Sequence, residues 1–134
     1  MRRREQAVST ITFAFLAPVL LLILLSTMEA GRVFSAWLVI TNEAREAARY
    51  GAVNYGRTDL GPLDDAVSAY ITQRLRGQLD TREMYQAPRV LIGAGGTSQV
   101  DVTIFYQVRL VIPLVSDVLP NPVPLAARSV MRGE

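Results

Sequence analysis

Between Gln6 and Met28 the chain carries no charged side chain, and most of its positions are Leu, Ile, Val, Phe or Ala. At ~1.5 Å rise per residue, twenty-odd such residues reach about 30 Å, the thickness of a bilayer's hydrocarbon core, so the run predicts a membrane-spanning helix. Pro18, inside the run, removes one backbone donor and predicts a kink or local loosening. The alternative is a cleaved secretory signal, which has a shorter apolar core and small residues ahead of its cut. A cut after Ala30 would leave Met28 at the −3 position.

The helical pattern continues past Met28. Val33, Trp37, Ile40, Ala44, Ala47, Ala48 and Gly51 recur on one side, while Arg32, Ser35, Asn42, Glu46 and Arg49 lie opposite. A single helix from about Val8 to Val53 is therefore expected, roughly 70 Å long. It is all apolar in its first half and amphipathic in its second. Glu29 with Arg32 and Glu46 with Arg49 form i,i+3 pairs that support it. Ala44, Ala47, Ala48 and Gly51 are small enough for another element to pack close.

The turn-forming residues Asn54, Gly56 and Asp59 break the helix, and Thr58 or Asp59 is a candidate cap for the next one. Leu63, Val67, Tyr70, Ile71, Leu75 and Leu79 recur at three- and four-residue steps, which predicts a second amphipathic helix over Pro62 to Leu79. Pro62 stands near its first turn, and Asp64 and Asp65 stand where a helix N-terminus favours negative charge. A polar connection, Asp80 to Gln86, leads to a short strand, Arg89 to Ile92, and a hairpin loop follows over Gly93 to Thr97.

The longest strand signal is Val100, Val102, Ile104, Tyr106, Val108, Leu110 and Ile112, every even position, with mostly polar residues between. One face is expected on a core and the other in water, with Pro113 as terminator. Pro120, Pro122 and Pro124 mark a loop, and Leu125 to Arg132 is a candidate third strand beside the long one. The expected fold class is α+β: a long N-terminal transmembrane and amphipathic helix packed with a second helix and a small antiparallel sheet of about three strands.

Charge decides the topology of the span. Of 14 basic and 12 acidic residues, Arg2, Arg3, Arg4 and Glu5 precede the run, and the remainder is balanced. Basic residues favour the cytoplasmic flank, so the N-terminus is expected inside and everything after Met28 outside. With no basic field on the head, nucleic acid is not an expected partner.

Candidate chemistry is sparse. The chain contains no Cys and no His, so thiolate chemistry, a disulfide framework and the commonest general base are absent, and no Lys is available for a Ser-Lys site. Asp64 and Asp65 read as partners of the helix dipole rather than a catalytic pair. Asn54, Asp59, Asp64 and Asp65 could offer oxygens to Ca²⁺, but their spacing matches no EF-hand loop. The glycines at 93, 95 and 96 precede a strand rather than a helix, which argues against a phosphate cradle. No cofactor, metal or enzymatic activity is expected.

The N-terminal segment carries a resemblance. The run Ala7-Val8-Ser9-Thr10-Ile11-Thr12-Phe13-Ala14-Phe15-Leu16-Ala17-Pro18 after basic residues is similar to the start of TadE-like pseudopilins of tight-adherence (Tad) type IV pilus systems. That family has a small residue at a cleavage site, five residues to a Glu, then an aromatic, and a Pro six residues beyond the Glu. Ala7, Phe13 and Pro18 match; Thr12 stands where the family has Glu, and Ala7 where Gly is commonest. Glu29-Ala30-Gly31-Arg32 resembles the family's acid-x-Gly-Arg step, and Asn42 to Ala52 its Ala-Arg-Glu-x-Ala-Arg-Tyr segment. Ser129-Val130-Met131-Arg132 also resembles a family ending.

The resemblance implies a pilin-like subunit of the bacterial inner membrane, cut by a prepilin peptidase between Ala7 and Val8 and extracted into a filament by an assembly platform. Its partners would be the membrane, other pilin and pseudopilin subunits, the peptidase and the platform. It implies a division into a cytoplasmic basic leader (1–7), a transmembrane and extended amphipathic helix (8–54) and a small extracytoplasmic α+β head (55–134). Phe13, Pro18, Gly31, Trp37, Ala44 and Ala48 are the expected helix-packing or interaction positions. The competing expectation is a permanently membrane-anchored scaffold or assembly factor of an exported complex.

Overall fold

A computed structural model describes residues 2–57, 59, 61–93, 98–112 and 120–133, with side chains from Thr10 onward. Helix α1 runs without interruption from Arg2–Val53, with Pro18 inside it, and α2 from Leu63–Leu75. A single 3-10 turn, Thr81–Glu83, follows. The strands are β1 (Arg89–Ile92), β2 (Gln99–Val108) and β3 (Val123–Arg132), forming one antiparallel sheet in the order β1-β2-β3. The fold is α+β, as the periodicities imply.

The second half of α1 lies across β2 and β3, and α2 packs beside it. Its buried positions include Glu29, Ala36, Ile40, Glu43, Ala44, Ala47 and Ala48. Steps alternating between three and four residues keep such a stripe on one side of a helix. Ile40 from α1, Val67, Ile71 and Leu75 from α2, and Val100, Val102 and Ile104 from β2 are fully buried and form the centre of the core. Gly51 is required where α1 meets this centre: a Cβ there would lie 2.7 Å from Val100 Cγ1 and 3.2 Å from Val67 Cγ2.

Several boundaries differ from the periodic reading. Helix α2 stops at Leu75 rather than Leu79, and the amides of Gln78 and Leu79 both turn back to the Leu75 carbonyl. Leu79 still packs on the core, so its apolar spacing was real although its backbone is not helical. Pro62 holds the N-cap position with no side-chain cap, and Asp59 pairs instead with Arg57 at 2.6 Å. Thr58, the other candidate cap, lies outside the described residues, as do Ala94 to Thr97 of the hairpin loop and Pro113.

Strand β2 ends at Val108, four residues before the alternation does. The Leu110 amide donates to Asn121 Oδ1 and the Val111 amide to Glu29 Oε1, so side chains take the donors that a strand partner would otherwise use. Strand β3 begins at Val123, two residues earlier than its pattern suggested, because Pro124 has no N–H to lose at the edge of the sheet.

The odd face of β2 is drier than alternation implies. Asp101 is only 8% exposed and accepts Arg128 Nε on both carboxylate oxygens at 3.0 and 3.1 Å. Phe105 meets Tyr85 edge-on at 5.9 Å. The segment after α2 and the long Arg128 side chain together cover a face that a bare sheet would leave to water.

Candidate functional site: the anchor helix and its junction with the head

The residues of the long helix fall into two regimes. From Ile11 to Met28 the large apolar side chains stand exposed, and the apolar window long enough to cross a membrane is 0% buried within the chain. The core helix of a soluble domain would be covered by its own chain; this one is bare. Phe13 is 69% exposed, and Pro18 and Gly31 are exposed as well. Ala44 and Ala48, by contrast, are buried against the head, where their size allows the sheet to approach. Ala7 and Val8 lie within α1, but their side chains are outside the description.

Trp37 departs from the expected stripe. It is 42% exposed and stacks on Phe34 with ring centroids 5.9 Å apart. Ala36 occupies the inward position instead, beside a cavity of about 220 Å³ that it lines with Leu79, Tyr106 and Val108. Trp37 and Phe34 line an open apolar groove of about 480 Å³ between the helix and the lower edge of the sheet, with Ala30, Val33, Leu110 and Leu125.

Two acids on the helix hold the head in place. Glu29, 5% exposed, receives both the Val111 amide at 2.7 Å and Arg32 Nη1 at 3.1 and 3.2 Å. Glu43 is equally buried and accepts Arg74 Nε at 2.7 Å and Gln78 Nε2 at 2.7 Å. Arg74 also lies over the Tyr70 ring, which stacks on Tyr50 of α1 at 4.5 Å and 3°. The hydrogen bonds it donates to Glu43 hold the Arg74 guanidinium above its ordinary pKa. The separation of 14 residues, close to four helical turns, places both acids on one side of α1.

Glu29 was legible as a partner of Arg32, and that pair is present; its second bond, to the head, was not. The signal for both acids is the same: a carboxylate on an otherwise apolar helical stripe needs a donor from whatever covers it. The Glu46–Arg49 pair also forms, at 2.7 Å, and its hydrogen bond lowers the Glu46 pKa and raises that of Arg49.

Two of the four residues considered for Ca²⁺, Asn54 and Asp59, are engaged by Arg57. Arg57 takes Asn54 Oδ1 at 3.2 Å and both carboxylate oxygens of Asp59. Asp64 and Asp65 stand in the first turn of α2. Among the described residues no group of three or more acidic, His or Cys side chains is placed to hold a metal.

The arrangement is a bare apolar helix joined to a small head through two buried carboxylates. No curated protein and no solved structure matches the chain. The helix itself has relatives: residues 7–49, which contain the anchor and both the Gly-Arg and Ala-Arg-Glu motifs, match the family model described as TadE-like protein.

Proposed function

We propose that this chain is a minor pilin-like subunit of a tight-adherence pilus, acting in pilus assembly and initiation and in surface adhesion, at the filament tip. The observation that carries this reading is a TadE-like match confined to a helix whose apolar window is left unburied by the rest of the described chain. Such a helix needs either a bilayer or neighbouring subunits around it, and a pilin occupies both in turn. The role is structural, with no enzymatic step. The three N-terminal arginines support an inner-membrane protein with its N-terminus in the cytoplasm and its head outside. The prepilin peptidase, the assembly platform and other pilins are the proposed partners.

Thr12 supports the tip. In the filaments this family resembles, the Glu at that position is matched in the apolar bundle by the N-terminal amine of an adjoining subunit, since a buried charge needs a buried counter-charge. A threonine carries no charge to be matched. Its hydroxyl type is at home in such a helix, as Thr27 shows by donating to the Ile23 carbonyl at 2.8 Å. A subunit without the charge suits a position that lacks one neighbour. The same substitution favours a second reading, a scaffold that stays uncut in the membrane.

Mass spectrometry of the purified protein separates the two. Loss of Met1 to Ala7, leaving Val8 at the N-terminus, is expected for the pilin reading, and an intact N-terminus would establish the scaffold. Gold-labelled antibody is expected at filament ends; label spread along the shaft would remove the tip assignment.

A further inference from the structure

The head hangs from the helix at the level where the apolar run ends. Glu29 is the first charged residue after that run, and its carboxylate holds the Val111 amide at 2.7 Å. Asn121 fixes the same place from the other side, accepting from the Leu110 amide at 3.1 Å and donating to the Leu110 carbonyl at 3.3 Å. Leu110 is buried by this arrangement, while the neighbouring Val111 side chain is 72% exposed. An aliphatic side chain is thus presented outward beside the point where the helix leaves the hydrocarbon.

The apolar groove opens at that level too. Its lowest lining residue, Ser26, belongs to the uncharged run, and its aromatic wall, Phe34 and Trp37, stands two to three turns above. The groove is therefore continuous with the lipid-facing surface of the span. Tryptophan, with an apolar ring and a polar N–H, favours the headgroup region at the end of a span, and Trp37 stands there with Phe34 stacked on it. Arg32, on the intervening turn, leaves half of its side chain exposed where lipid phosphates would lie.

We propose that this lower rim of the head, Val111 with Phe34, Trp37 and the mouth of the groove, seats in the headgroup and acyl boundary of the leaflet on the head's side. The membrane thereby contacts the head as well as the helix, and it orients the head before any assembly step. This rests on the reading of α1 as a membrane anchor.

The absence of Cys allows a unique label at each chosen position. Full-length Val111→Cys, Ile23→Cys and Gln86→Cys variants, each carrying an environment-sensitive fluorophore, are reconstituted in phospholipid vesicles containing nitroxide lipids. The label at position 111 is expected to emit to the blue of that at 86 and to be quenched most by nitroxides near the headgroup. The label at 23 should be quenched most by nitroxides deep in the acyl chains. Trp37, the single tryptophan, should be quenched in the unmodified protein by lipids brominated near the headgroup.

A label at 23 that no lipid nitroxide quenches would overturn the anchor reading and this proposal with it. Quenching at 23 with water-like emission at 111, or with an unquenched Trp37, would overturn the rim contact alone. A blue shift at 111 that lipid nitroxides leave unquenched and that grows with protein-to-lipid ratio would assign the rim to a second copy of the chain, against the proposal.

Discussion

Arg74 Nε donates to Glu43 Oε2 at 2.7 Å, joining α2 to α1 across 31 positions of the chain. The two partners are unequal: the Glu43 side chain is 6% exposed and that of Arg74 45%. Removing one is therefore not equivalent to removing the other.

Arg74→Ala should be the more harmful change, since it leaves a buried carboxylate with Gln78, beyond the end of α2, as its remaining side-chain donor. Stranding such a carboxylate costs about 1–3 kcal/mol, which for a head of this size is several degrees of melting temperature. Glu43→Met should cost less, because Arg74 can turn into water and the thioether fills the space. Thermal unfolding of both variants in the same detergent checks the order, and a larger loss for Glu43→Met would contradict it.

On β2 the two faces should respond differently. Ile104 is fully buried, so Ile104→Asp places a charge in the core at a cost of several kcal/mol and should unfold the head. Thr103→Asp should be tolerated, because its sheet neighbours in register are Arg89 and Arg128. Proteolysis of the head in membranes distinguishes the two, and equal resistance would mean that the face of the strand has been misassigned.

The glycines of α1 should also diverge. A Cβ at Gly51 collides with Val100 and Val67, so Gly51→Ala should destabilise by about 1–3 kcal/mol. At Gly31 nothing lies within 4 Å, and Gly31→Ala should stabilise the helix by about 0.5–1 kcal/mol. Denaturation of each variant as a purified monomer measures both signs. If Gly31→Ala abolishes pilus assembly while stabilising the monomer, Gly31 serves a contact with another subunit.

Alkaline pH should weaken the head through Tyr106. Burial, and next the charges of Glu83 and Asp80, raise its phenol above the ordinary value of 10.0. The unfolded chain then ionises first, so this contribution is fully present below the unfolded value and is lost as pH rises through the folded one. Melting temperature followed upward from about pH 9 should fall more steeply for the unmodified protein than for Tyr106→Phe. Parallel curves would show that this phenol is not linked to folding.

Much of the architecture was written locally. The uncharged run, the small residues of α1, the even face of β2 and the boundaries of β1 follow from spacing within one segment, and each is present in the structure. Boundaries were less legible where side chains from elsewhere replace backbone partners, as at Leu110 and Val111.

The sequence by itself determined that a long helix, apolar and then amphipathic, carries a small head, because hydrophobic period and length are properties of neighbouring residues. Only the tertiary structure decided that Glu29 and Glu43 face inward, that Trp37 turns outward in favour of Ala36, and that Asp101 is covered by Arg128. The three carboxylate outcomes depend on which element arrives from 82, 31 or 27 positions away. A carboxylate has no preferred side of a helix until its donor is in place, and which of two neighbouring helix positions turns inward is set by where the sheet lies.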